Sequence, residues 1–279
     1  MSECDCTGEE RFRSLAVLSA PTLVYEDDSI LAVDKPAGWS ITPTGKGTDI
    51  PALMPFIQEL AGKQVVNAHR IDAEVSGVVI CAKSKPALDS LSGEFQSKMA
   101  QRTYHGFVVI PATEEEMARV TEFTPVRTAG GTLPESFEIR YGLGPDINVP
   151  GRMHVYRRRG GKPAVTQIKV LEDFGRFVWI EGCPETSREQ QLQAHLAAVG
   201  APVLGDLSHG LPEVKLMLSS LKRGYKGREN ERPLVDRVGL HLSAITLRHP
   251  ETKAAITIQA PLPPSFEIAL KNLRKFQRR

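Results

Sequence analysis

Five consecutive apolar residues, Val78-Val79-Ile80-Cys81-Ala82, constrain the fold of this chain more than any other stretch. A short continuous run of this kind, entered through Ser76-Gly77 and left through Lys83-Ser84, reads as a strand buried on both faces. Such a strand needs a layer packed above it and another below. Immediately before it comes Asn67-Ala68-His69-Arg70-Ile71-Asp72-Ala73-Glu74-Val75, which sets Asp72 between a basic His-Arg pair and a small Ser-Gly turn. An acidic side chain is thereby placed in a loop at the mouth of a hydrophobic sheet, where burial and a neighbouring cation tune its acidity. Taken alone, an aspartate two residues after an arginine is more often a loop ion pair or turn former than a catalyst.

The rest of the chain supports a layered α+β fold. Ile30-Leu31-Ala32-Val33 reads as a strand that stops at Lys35-Pro36-Ala37-Gly38, because proline and glycine interrupt regular pairing. Ser84 suits a helix N-cap, and Leu88, Leu91, Phe95 and Met99 recur at helical spacing, which predicts an amphipathic helix over 86–100. Strands are expected over 104–110, 153–157, 164–171, 177–180, 240–247 and 255–258. A helix is expected over 190–199, ended by Gly200, and a last one at the basic C-terminus. Residues 111–150 are rich in turn formers, and 208–237 read as a polar surface insertion. Strands and helices interleave without regular βαβ spacing or a glycine-rich phosphate loop, so a mixed, largely antiparallel sheet with flanking helices fits best. One domain spanning 23–279, after a tail over 1–22, is the expected organisation.

Composition narrows the function classes. With 279 residues, 41% of them hydrophobic, the chain can bury a substantial core. No apolar run approaches the ~18 residues of a membrane span, and a soluble, cytoplasmic protein is expected. Cys4 and Cys6 lie in an acidic tail, Cys81 in the apolar run and Cys183 before Pro184, a spacing that makes neither a disulfide frame nor a zinc site. Net charge is only +2, but it is unevenly spread: residues 1–40 hold three basic and eight acidic side chains. Basic residues gather at Arg157-Arg158-Arg159-Gly160-Gly161-Lys162, between Lys215 and Arg237, and at Lys271, Arg274, Lys275, Arg278 and Arg279. Clusters of this kind neutralise phosphates with salt-sensitive affinity.

The His69-Arg70-Ile71-Asp72 string, its Ser76-Gly77 and the strand that follows resemble the catalytic motif of the RluA-type RNA pseudouridine synthases. Further stretches match that family in the same order. They are Val24 to Gly38 with its Lys-Pro-x-Gly turn, Arg102-Thr103-Tyr104-His105-Gly106, Gly161-Lys162-Pro163-Ala164-Val165-Thr166, and Glu185-Thr186-Ser187-Arg188 running on through His195-Leu196 to Gly205-Asp206. The resemblance extends from about Leu23 to Phe266. It implies a pseudouridine-synthase-like sheet with a central RNA-binding cleft, a monomer acting on ribosomal or transfer RNA, and no cofactor or metal. It casts Asp72 as the catalytic carboxylate, acting as a nucleophile or as the base toward a ribose proton. Tyr104 would stack on the flipped base, and His69 and Arg70 would help display it. Lys35, read from its place in the loop, either reaches a phosphate or is a solvated loop lysine.

One motif departs from the family. Where relatives read roughly Gly-Arg-x-His-Gln-Leu/Ile-Arg-Val-His, this chain has Ser187-Arg188-Glu189-Gln190-Gln191-Leu192-Gln193-Ala194-His195. The arginine expected to pair with the catalytic aspartate is replaced by Gln193, which brings no charge. A buried aspartate that loses its cation has its pKa raised. Two readings follow. Either Arg188 or Arg70 supplies the charge and the chain is an isomerase, or the chain is an RNA-binding or ribosome-assembly protein that keeps the cleft without turnover. A hydrolase using Asp72 with His69 or His195 is a third reading, without a serine or cysteine nucleophile in a recognisable context to support it.

Overall fold

Ser76–Ala82 forms β4, and all seven of its residues are buried, as the apolar run predicts. The structure is a computed structural model that describes residues 19–44, 49–120, 123–157, 160–222, 224–225 and 230–277. Cys4, Cys6, Arg158, Arg159, Arg223, Lys226, Arg228, Arg278 and Arg279 therefore lie outside the described residues. One neighbour of β4 is β2 (Ile30–Lys35), antiparallel; the other is β10 (Leu240–Arg248), parallel through His241–Ser76 and Leu242–Gly77. Gly77 sits at φ 123°, and a Cβ there would fall 2.2 Å from the Leu242 carbonyl oxygen. The glycine of the Ser-Gly pair is thus demanded by the approach of β10.

The other strands are β1 (Thr22–Glu26), β3 (Val66–Asn67), β5 (Gln101–Val109), β6 (Ser136–Pro145), β7 (Met153–Tyr156), β8 (Lys162–Asp173), β9 (Phe177–Pro184) and β11 (Ala255–Gln259). Together they make one sheet in the order β1-β2-β4-β10-β5-β9-β8-β6-β7, with β3 added to β4 and β11 to β10. Every ladder between named strands except β4–β10 is antiparallel. The mixed, largely antiparallel α+β fold is as expected.

Helices cover both faces. α1 (Leu53–Ala61) and α2 (Lys85–Gln96) bury Leu53, Met54, Ile57, Ala87 and Leu91 in one core with β2 and β4. Ser84 caps α2, its Oγ accepting the Ala87 N–H at 3.3 Å. The helix stops earlier than its apolar spacing predicts, because Lys98 turns left-handed at φ 62°, and Met99 is left half exposed. β9 shows why two helical layers are needed. Its Phe177 and Trp179 pack with Phe266, Ala269 and Leu273 of α6 (Pro264–Phe276), while Val178 and Ile180 pack with Leu192 and Leu196 of α4 (Gln191–Ala198). Alternation along one strand feeds two cores.

Two stretches differ from expectation. Residues 111–150 contain α3 (Glu114–Val120) as well as β6. Within 208–237 a short helix, α5 (Leu218–Leu221), forms, and Leu211, Leu216, Leu221 and Val235 are buried in the same core as α6. Much of that polar stretch is therefore anchored by widely spaced apolar side chains. Among the described residues no helix is long and apolar enough to cross a membrane.

Candidate active site

Asp72 stands in the loop that feeds β4, and the Lys-Pro-x-Gly turn after β2 fixes that loop from below. Gly38 N–H donates to the Ala73 carbonyl at 2.8 Å. Lys35, wholly buried, donates from Nζ to the carbonyls of Pro36 at 3.0 Å, Trp39 at 2.8 Å and Ala73 at 3.1 Å. Burial draws its pKa down to about 7. Lys35 is thus neither the phosphate contact nor the solvated loop lysine that the sequence allows: it ties the turn to the Asp72 loop, since its ammonium has three carbonyl partners and no solvent.

The loop opens onto a cleft of about 580 Å³, lined from β5 by Arg102 and Tyr104 and from the far side by Leu143, Met153, Lys162 and Arg188. Arg102 and Tyr104 share a face of β5 because successive strand residues alternate. Tyr104 is pushed up to about 12, chiefly by burial, so its phenol stays neutral. Within the cleft's lining, Arg102 Nε and Arg188 Nε are buried without a hydrogen-bond partner. Arg102, Lys162 and Arg188 give this wall positive charge, which suits an anionic ligand.

Asp72 Oδ2 accepts the Gln190 N–H at 3.1 Å. Gln190 precedes α4 in a left-handed conformation, φ 50° and ψ 25°, which costs a residue other than glycine about 1–3 kcal/mol. Its side chain is bonded at both ends, Nε2 donating to the Gly151 carbonyl at 2.9 Å and Oε1 accepting the Met153 N–H at 3.0 Å. Burial, with the nearby Glu74 carboxylate adding to it, pushes the Asp72 pKa up to about 6; the Gln190 N–H pulls the other way. The group is still ionised at neutral pH.

The charge expected beside Asp72 is absent. Among the described residues Asp72 makes no ion pair: Arg70 pairs with Glu189 at 3.2 Å and is largely exposed, and Arg188 bonds the Ser187 and Pro163 carbonyls at 3.4 Å each. Gln193 is buried beside Asp72 in the cleft wall, but its Nε2 donates to Glu74 Oε1 at 3.1 Å. His69, expected beside the substrate, faces the interior. Its Nε2 accepts the Ile80 N–H at 3.1 Å, its ring lies 4.7 Å from that of Phe95, and burial draws its pKa down to about 3. His195 is likewise buried, its Nδ1 2.9 Å from Thr166 Oγ1, so neither histidine joins Asp72 in the way a hydrolase would use. The structure thus gathers Asp72, Tyr104, Arg70, Arg188 and Gln193 around one cleft and leaves His69 out.

Sequence reasoning missed Arg102 and Gln190. Arg102 was legible as the residue two before Tyr104 on the same strand face. Gln190 carried no signal, since its role lies in its backbone.

Comparisons with known proteins converge. A model of a family described as RNA pseudouridylate synthase matches residues 29–198. Ribosomal large subunit pseudouridine synthase D of Neisseria meningitidis serogroup A is 30% identical over 272 residues, covering 95% of this chain and 64% of the relative. The chain therefore spans a little under two thirds of that relative's length. tRNA pseudouridine synthase C of Pectobacterium carotovorum is 26% identical over 251 residues, covering 85% of this chain and 58% of the relative. Among solved structures, human RNA Pseudouridylate Synthase Domain Containing 4 superposes with a TM-score of 0.60 at 21% identity, over 90% of this chain and 92% of that one, which shows the shared fold.

Proposed function

From the premise that this chain belongs to the RNA pseudouridylate synthase family, we propose that it isomerises uridine to pseudouridine in ribosomal or transfer RNA, with Asp72 as the catalytic carboxylate. One observation carries this reading: an aspartate ionised at neutral pH shares a cleft of about 580 Å³ with a neutral buried tyrosine and the basic side chains of Arg102, Lys162 and Arg188. In the reaction the N1–C1′ bond of uridine breaks, the base turns, C5 joins C1′, and the C5 proton departs while N1 gains one. No atoms are gained or lost, and no electrons are exchanged with a second substrate. Asp72 attacks C1′ or accepts a ribose proton, and either role needs an ionised carboxylate. Tyr104 supplies a face for the everted base, and the cations of the rim meet its phosphates. The protein acts as a cytoplasmic monomer, without a cofactor or metal.

The unpaired state of Asp72 favours a second reading, in which the chain binds RNA or assists ribosome assembly without turnover. A single experiment separates the two. RNA transcribed with C5-tritiated uridine is incubated with the wild-type chain and with Asp72→Asn, and released tritium and RNA affinity are both measured. Turnover lost in Asp72→Asn with affinity retained supports the isomerase. Turnover that persists in the variant overturns the role of Asp72, and wild-type binding without release on any ribosomal or transfer RNA selects the second reading.

A further inference from the structure

The geometry points to Gln190 as the positioning residue for Asp72: its carboxamide, bonded at both ends to the β6–β7 hairpin, holds its own backbone N–H against the carboxylate where a cation would otherwise stand. This rests on the catalytic role proposed for Asp72. The N–H of Gln190 is, among the described residues, the one hydrogen-bond donor to that carboxylate. It reaches Asp72 only because Gln190 occupies a left-handed conformation that glutamine rarely adopts. A conformation of that kind persists where the surroundings over-determine it.

The surroundings here are a hydrogen-bonded hairpin, β6 paired with β7. Its turn closes on itself, Asp146 N–H donating to the Arg152 carbonyl at 2.9 Å and Arg152 N–H to the Val149 carbonyl at 3.2 Å. The Met153 carbonyl lies 2.8 Å from His209 Nε2. To this frame the Gln190 carboxamide presents a donor and an acceptor, as a strand backbone would. On its other side, the Gln190 carbonyl accepts the Ala194 N–H at 2.9 Å and opens α4. One residue therefore joins hairpin, helix and carboxylate. Gln193 completes the arrangement by occupying Glu74, the nearest competing anion. The other charged or titratable groups that act on Asp72 are Glu189 and Arg70 from the rim, Tyr104 from β5 and Lys35 from below.

The test uses the full chain and three forms: wild type, Gln190→Ala and Gln190→Gly. Alanine removes the clamp and disfavours the left-handed backbone; glycine removes the clamp but adopts that backbone freely. The Asp72 carboxyl is titrated by carbon NMR, with no RNA present. The expected midpoint rises by about one pH unit in Gln190→Ala and by less in Gln190→Gly. On C5-tritiated RNA, kcat falls about tenfold or more in Gln190→Ala with KM within about twofold, and Gln190→Gly recovers part of it. A midpoint unmoved in both variants overturns the proposal, as does a loss confined to KM. Should Gln190→Ala fail to fold, the glycine variant alone decides, by whether its midpoint rises. A wild-type chain without turnover defeats the isomerase reading, and the titration still judges the clamp.

Discussion

Gln193 donates to Glu74 across 3.1 Å, and so the residue standing where an arginine was expected is committed to a carboxylate two positions beyond Asp72. The amide neutralises nothing. Glu74 consequently adds to burial in raising the Asp72 pKa, and the backbone N–H of Gln190 opposes both.

Gln193→Arg places a guanidinium within reach of both carboxylates. An opposite charge at this range lowers a carboxyl pKa by about 1–3 units. The acid limb of the kcat profile, expected near pH 6 in the wild type, is predicted to move down by about one unit, with activity rising about fivefold at pH 5 and a little under twofold at pH 6. A pH–rate series on tritiated RNA measures this, and an unmoved limb means that Asp72 does not set it.

Asp72→Asn is expected to stabilise the fold while ending turnover. Asp72 titrates near 6 when folded against an ordinary 3.8, so the folded chain binds the extra proton between those values. The penalty of carrying the charge is absent below about pH 3.8, grows across that window and is complete above 6. It corresponds to about 3 kcal/mol, reduced to about 2 kcal/mol for partial solvent access. At pH 7.5 the variant should melt about 5 °C higher, and the gain should vanish near pH 4. Calorimetry at the two pH values checks the sign.

Lys35→Met removes a donor shared by the carbonyls of Pro36, Trp39 and Ala73, of which only that of Ala73 also accepts the Gly38 N–H described above. Buried acceptors left unsatisfied cost about 1–3 kcal/mol each, and relaxation recovers part of that. A loss of about 3 kcal/mol in urea unfolding is expected, together with a fall in kcat because the Asp72 loop loses its tether. Loss of stability without any change in kcat would separate the tether from the site.

RNA affinity should depend steeply on salt. Arg70, Arg102, Lys162 and Arg188 all line the cleft. Three or four phosphate contacts predict about a thirtyfold loss for a fourfold rise in salt. Filter binding from low to moderate ionic strength measures the slope, and a flat response would place the phosphates elsewhere.

Much of the frame could be read before the structure. Val78 to Ala82 announce a strand buried on both sides, Ser84 announces a helix start, and the ordered motifs put Asp72 and Tyr104 in one cleft. β6 was missed although Phe137, Ile139, Tyr141 and Leu143 alternate, because Gly142, Gly144 and Pro145 among them read as a turn. The core contributions of Leu211, Leu216 and Val235 were hidden by spacing that follows neither a helix nor a strand. The cleft's polar wiring was illegible for another reason. Gln193 meets Glu74 and Gln190 meets Asp72 across more than a hundred residues, and neither contact leaves a periodic trace.

β10 lies between β4 and β5, so residues 240–248 are the wedge that joins segments ending at residues 82 and 109, far earlier in the chain. Without that wedge, the Ser76–Gly77 end of β4 and the Gln101–Gly106 stretch of β5 lose the strand that joins them, although β2 and β3 still pair with β4 and β9 with β5. On the ribosome, the nascent chain must wait for its 248th residue before the sheet can close. Chains that stop short of β10 would therefore leave two half-sheets without the strand between them.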